Sequence, residues 1–238
     1  MTRLVAVALA ALVLPASVSS ATPITVLAAA SLTEVLPRIA KAPRYSFAGS
    51  DQLALQIRQG APADVYASAS PKYAELLYRD GLVLKPVVFA TNRLIVLVPR
   101  SNPADIRTVY DLRRSGVKVV IGDRSVPIGT YTRQILDALG IGSEVAKNVV
   151  SEETDVKGIV TKVALGEADA GFVYRTDARA VASRTRPIAV PGWAQPPIRY
   201  ELAVVTSSSH RAAARAFVAK VKSQRGRRVL TRAGFGTP

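Results

Sequence analysis

Short apolar runs alternate with helix-period segments along almost the whole chain. Ile24 to Leu27, Val65 to Ala69, Leu94 to Val98, Val117 to Ile121, Ala170 to Tyr174 and Leu202 to Val205 read as buried strands. Between them lie helical patterns such as Val156, Ile159, Val160, Val163 and Ala164, stopped by Gly166. This order needs crossover helices on both faces of largely parallel sheets, so the expected class is α/β. The segment from His210 to Leu230 also reads as helix, with Gly226 expected to interrupt it. There is no internal repeat.

At three places the pattern runs from a strand end through small residues into a helix start: Ala28-Ala29-Ala30-Ser31-Leu32, Phe47-Ala48-Gly49-Ser50 and Val126-Pro127-Ile128-Gly129. The first N–H groups of a helix have no intrahelical acceptor, and the helix dipole adds partial positive charge there. Several such ends converging would hold a small oxyanion. A local role is also available to each serine. Ser31-Leu32-Thr33-Glu34 fits a capping box, and Ser50 is placed to cap the helix through Leu53, Leu55 and Ile57. Pro37 should kink that first helix or delay its start.

Arg3 precedes an apolar stretch from Leu4 to Val18, followed by Ser19-Ser20-Ala21, the pattern of a signal peptide over residues 1–21. The expected protein is therefore exported and periplasmic. With no cysteine it lacks disulfides and a lipidated anchor. A formal charge of +15 often marks a nucleic-acid binder, but Lys and Arg are scattered and aromatic residues are few, so no nucleic-acid partner is expected. A solvated basic surface that steers anions accounts for the charge.

Enzymatic chemistry finds little support. His210 is the only histidine and lies in a Ser-rich loop, where a surface role is expected. There is no nucleophile elbow, metal-binding histidine pair or phosphate-loop lysine motif. Ser115-Gly116-Val117-Lys118 matches a Ser-x-x-Lys pattern by chance, ahead of a strand and without its companion motifs. Glu152, Glu153 and Asp155 read as acids complementing a helix start and not as metal ligands, and Asp64 as a structural acid at a turn or hinge.

The segments Ile24 to Thr33, Gly60-Ala61-Pro62-Ala63-Asp64-Val65, Gly122-Asp123 with Val126 to Tyr131, and Gly171 to Ala178 resemble, in order and spacing, the periplasmic molybdate-binding proteins of ABC importers. The resemblance spans essentially the whole mature chain. It implies a two-lobed periplasmic-binding-protein fold that closes on molybdate or tungstate and delivers it to a membrane permease. A monomer with no cofactor is expected. Carried over, the family's oxyanion contacts fall on Ser31 and Ser50 in the first lobe. In the second they fall on the amides of Ile128 and Val156 and the phenol of Tyr174, all meeting oxygens of the anion and not the metal. The family usually has alanine where this chain has Ile128. The interval from Ser31 to Phe47 is also short, so a truncated first helix is expected.

Lobe 1 is expected at residues 24–88 completed by 204–238, and lobe 2 at 89–203, with ligand between them at the C-terminal ends of the strands. A fully ionised tetrahedral dianion has no proton to donate, so neutral donors suffice to hold it. Protonated phosphate would want an acceptor. The matched positions supply donors only, which favours molybdate, tungstate or sulfate. A binding protein of the same fold for sulfate or another small anion is the alternative.

Overall fold

A computed structural model describes residues 23–238; the signal peptide expected at 1–21 lies outside the described residues. The strands are β1 (Thr25–Ala29), β2 (Arg44–Ala48), β3 (Val65–Ser68), β4 (Val87–Asn92), β5 (Leu94–Pro99), β6 (Val119–Gly122), β7 (Val149–Glu153), β8 (Ala170–Tyr174), β9 (Thr185–Ala189) and β10 (Ile198–Val204). The helices are α1 (Leu36–Ile39), α2 (Ser50–Arg58), α3 (Pro71–Arg79), α4 (Pro127–Ala138), α5 (Gly142–Ala146), α6 (Val156–Leu165), α7 (Arg175–Ala180), α8 (Arg211–Lys222) and α9 (Gln224–Ala233).

Two five-stranded sheets result, ordered β2-β1-β3-β10-β4 and β7-β6-β8-β5-β9. Each is mixed, with four strands running one way and a single strand, β10 or β5, opposed to them. β1 runs parallel to β2 and β3, and β6 to β7 and β8, whereas β10 and β5 pair antiparallel with both of their neighbours. The opposed strands are those by which the chain enters a sheet from the other: β5 follows β4 with only Arg93 between them, and β10 follows β9. β4 and the whole of β10 stand in the first sheet, so the change of sheet falls at Arg93 and between Ala189 and Ile198. These points differ from the boundaries expected at 88/89 and 203/204, because β4 runs on to Asn92 and β10 begins at Ile198.

Central strands are buried along their length, as in β3, β6 and β8, because helices cover both faces. Pro37 sits in the first turn of α1, a one-turn helix of four residues that starts late, where its missing N–H costs nothing. At the C-terminus the break is at Ser223, which caps α9 by accepting from the Gly226 amide at 3.1 Å. Gly226 itself lies inside α9; a Cβ there would stand 2.1 Å from the Val221 carbonyl oxygen, so glycine permits the tight corner between α8 and α9.

Candidate functional site

Register places the first two serines. Ala29 pairs with Ala48 across the parallel β1 and β2, and two residues beyond each partner come Ser31 and Ser50. Both chains turn into helical structure at the same level, at the C-terminal ends of their strands. Ser31 lies in a 3-10 turn, Ala30–Leu32, with Ala29 as N-cap; its side chain makes no cap bond, so the capping box with Glu34 does not form. Ser50 is the first residue of α2, and Gly49 occupies the N-cap. A Cβ at Gly49 would come within 2.6 Å of the Thr154 carbonyl oxygen of the second-sheet half, so glycine here lets the two halves approach.

Opposite, Gly122 pairs with Glu153 across β6 and β7, and helices α4 and α6 start just beyond. Pro127 occupies the first turn of α4, with Val126 as N-cap making no side-chain bond, so the Ile128 amide is a first-turn donor without an intrahelical acceptor. A Cβ on Gly129 would collide with the Asp123 carbonyl oxygen at 1.9 Å, which explains the glycine of this segment. Asp155 caps α6 through Oδ1, accepting from Lys157 N at 2.7 Å and Gly158 N at 3.2 Å. The Val156 amide is left outside that cap, while its side chain is core. Tyr174 ends β8 and stands before α7.

Ser31, Ser50, Ile128, Val156 and Tyr174 all line one cleft of about 230 Å³, part of it open to solvent. Alanines 29, 30, 48 and 69 form much of the remaining wall on the first-sheet side, with Val126 and Pro127 opposite. Tyr174 is 2 % exposed, yet its Oη has no hydrogen-bond partner among the described residues. A buried hydroxyl in that condition is costly unless something else accepts from it. Burial pushes its pKa well above the usual tyrosine value, so it stays a donor. Ser50 Oγ accepts the Ala69 amide at 3.1 Å, and Ser31 Oγ lies 2.9 Å from Tyr200 Oη.

The enlarged side chain at 128 is accommodated behind the site: Ile128 Cγ2 would lie 2.7 Å from a Cβ at Gly122, so it packs over the bare Gly122 backbone. The acids beside the cleft are engaged elsewhere. Glu152 pairs with Arg133 at 2.7 Å, Glu153 with Lys162 at 2.6 Å, and the lysine in the first turn of α6, Lys157, stands 3.0 Å from buried Asp177. Burial pushes the Asp177 pKa up against the opposing pull of Lys157. Among the described residues no cluster of three His, Asp or Glu side chains could hold a metal ion. Lining the cleft are neutral donors and one carboxylate, Asp155, used by its own helix.

Across the cleft mouth, Tyr73 Oη donates to the Ser125 carbonyl, and Ser125 Oγ lies 2.9 Å from Asp51 Oδ2 and 2.7 Å from Asp123 Oδ1. Tyr73 and Asp51 belong to the first-sheet half and Ser125 to the second, so the halves are closed on each other. These contacts, and the Tyr200 neighbour of Ser31, escape sequence reasoning because no spacing or composition marks them. Asp64 and His210 lie far from the cleft, at the opposite end of the first sheet. Asp64 accepts from Thr25 N at 2.7 Å and Ser208 Oγ at 2.5 Å, and His210 Nδ1 stands 3.2 Å away. Asp64 is thus structural, but not at the hinge, and His210 is not merely a solvated surface residue.

A family profile described as bacterial extracellular solute-binding protein matches residues 24–236. The chain belongs to that family. The solute-binding protein is 43 % identical over 195 residues to the molybdate-binding protein ModA of Mycobacterium tuberculosis, covering 82 % of this chain and 73 % of the relative. It is 33 % identical over 238 residues to ModA of Haemophilus influenzae, covering 92 % of each. Among solved structures, the periplasmic molybdate-binding protein of Azotobacter vinelandii superposes with a TM-score of 0.79 at 22 % identity, covering 90 % of this chain and 99 % of that one. The sulfate-binding protein SubI of M. tuberculosis gives 0.74 at 20 %, covering 90 % and 86 %. At those identities the superpositions speak for the two-lobed binding-protein fold. Among the described residues no helix of the solute-binding protein is long and apolar enough to cross a membrane.

Proposed function

We propose that this chain is the exported receptor of an ABC importer, capturing molybdate or tungstate between two lobes and presenting it to the membrane permease. The lobes are residues 24–92 with 198–238, and 93–197, each centred on one sheet. Ser31 and Ser50 hydroxyls, the amides of Ile128 and Val156 and the Tyr174 phenol donate to the anion's oxygens. The observation that carries this reading is the Tyr174 hydroxyl, buried and without a partner among the described residues, in a cleft where helix starts from both halves converge. The ModA relatives support the choice of anion. The protein works as a monomer, without catalysis or cofactor, in the periplasm.

A thermal scan with each oxyanion tests this. At about 100 times the dissociation constant a ligand adds roughly 2.7 kcal/mol, on the order of 5 to 10 °C in Tm for a chain of this size. Molybdate and tungstate should produce that shift, and elemental analysis should return one molybdenum per chain. A shift with sulfate alone would move the assignment to the sulfate-binding alternative, and equal shifts with phosphate would defeat the neutral-donor argument.

A further inference from the structure

Behind Ser31 lies a chain of polar groups that no contact with the anion accounts for. Tyr200, in β10, is fully buried, and its Oη lies 2.9 Å from Ser31 Oγ. Asn92, the last residue of β4, donates from Nδ2 to Tyr200 Oη at 3.4 Å and to Thr176 Oγ1 at 3.1 Å. Its orientation is fixed independently, because Asn92 Oδ1 accepts the Arg93 amide at 2.9 Å and so turns Nδ2 toward Tyr200. These bonds have one consistent direction. Tyr200 Oη receives a proton from Asn92, so its own proton goes to Ser31 Oγ, and the Ser31 proton is left to point into the cleft. The reverse arrangement, with Ser31 donating to Tyr200, would leave the Tyr200 proton with no acceptor among its hydrogen-bonding neighbours, Ser31 Oγ and Asn92 Nδ2. The ring of Tyr200 is held edge-on by Phe89, Tyr174 and Phe235 at 6.1, 5.8 and 5.4 Å, so the hydroxyl has little freedom to turn elsewhere.

Resting on the assignment of the cleft as an oxyanion site, we propose that Tyr200, oriented by Asn92, is a positioning residue that holds Ser31 as a pure donor toward the bound anion. The relay also spans the crossing. Asn92 precedes Arg93, where the chain changes sheets, and Thr176 belongs to the second-sheet half. The Ser31 donor is therefore set by the same groups that join the halves. A relay of this kind favours ligands that accept at every oxygen, because an anion offering its own proton to Ser31 meets a hydroxyl already supplied with one.

Tyr200→Phe keeps the ring and removes the relay. Calorimetric titration of molybdate is made on wild type, Tyr200→Phe, Ser31→Ala and the double variant, each checked for a cooperative melt. The expected result is about a 5- to 20-fold loss for Tyr200→Phe in the presence of Ser31 and under about 2-fold in its absence, since the relay acts only through that hydroxyl. Asn92→Asp serves as a second variant. It replaces the donor with an acceptor and turns the Tyr200 proton away from Ser31, so it too should lose more affinity with Ser31 present than absent; any simple repulsion of the anion would be the same in both backgrounds. Unchanged affinity in Tyr200→Phe, or equal losses with and without Ser31, overturns the proposal. Failure of wild type to bind molybdate would instead strike the assignment of the site.

Discussion

Ser50 Oγ accepts the Ala69 amide at 3.1 Å, a bond from the start of α2 to the residue just after β3. That bond uses a lone pair and spares the proton. The hydroxyl is held at the cleft wall with its donor unspent, the counterpart beyond β2 of what Ser31 offers beyond β1.

Removing one such donor should weaken binding without unfolding the protein. Ser31→Ala, Ser50→Ala and Tyr174→Phe should each lose about 1.5 to 3 kcal/mol of molybdate affinity, the range for hydrogen bonds to charged groups. Ser50→Ala should also lower Tm slightly, because the Ala69 amide loses its acceptor, whereas Tyr174→Phe should hold or raise Tm by removing an unpartnered buried hydroxyl. Titration and melting of the same samples check both signs.

Ile128 contributes its amide to the site and its side chain to the core. Ile128→Ala should therefore cost stability, about 2 to 5 kcal/mol for a buried truncation, with a small change in molybdate affinity. A large change in the ratio of molybdate to sulfate affinity, read by competitive titration, would show instead that the side chain shapes the cavity.

The contact of Ser125 with Asp51 closes the cleft at an exposed rim. Ser125→Ala should leave the association rate nearly unchanged and speed dissociation, by about 2- to 10-fold for the loss of one modest hydrogen bond. Stopped-flow release of molybdate measures it, with Trp193, the single tryptophan, as a candidate reporter on the segment that returns to the first sheet.

Asp64 ties the start of β1 to the loop after β10. Burial alone would raise its pKa, but bonds from Ser208, the Thr25 amide and His210 outweigh burial and hold it below the usual carboxylate value. A depressed folded-state pKa stabilises above the unfolded value near 3.8 and is lost as pH falls through the folded one. Asp64→Asn should thus cost about 1 to 3 kcal/mol at pH 7, and the deficit should shrink below about pH 4. Urea titrations at pH 7 and pH 3 give the comparison.

The six strands legible as apolar runs, β1, β3, β5, β6, β8 and β10, are the interior strands of the two sheets and are buried along most of their length, although in β10 Arg199 and Glu201 leave only the second half apolar. The other four, β2, β4, β7 and β9, are the sheet edges. In β2, β7 and β9 exposed positions carry Arg44, Glu152 and Arg186, so the apolar signal is broken, although the end of β2 showed itself in Phe47-Ala48-Gly49-Ser50; β4, which opens on Val87-Val88-Phe89-Ala90, has no such interruption. Helix starts are equally local, since small residues, Pro127 and Asp155 act within a turn or two of the chain. The sequence by itself thus determined the α/β class, the interior strands and the donor-bearing junctions. Only the tertiary structure decided that Ala29 lies level with Ala48, that β10 and β5 run antiparallel, and that Asn92 and Tyr200 stand behind Ser31. These depend on pairing and packing between residues up to 169 positions apart, and such contacts leave no periodicity in the chain.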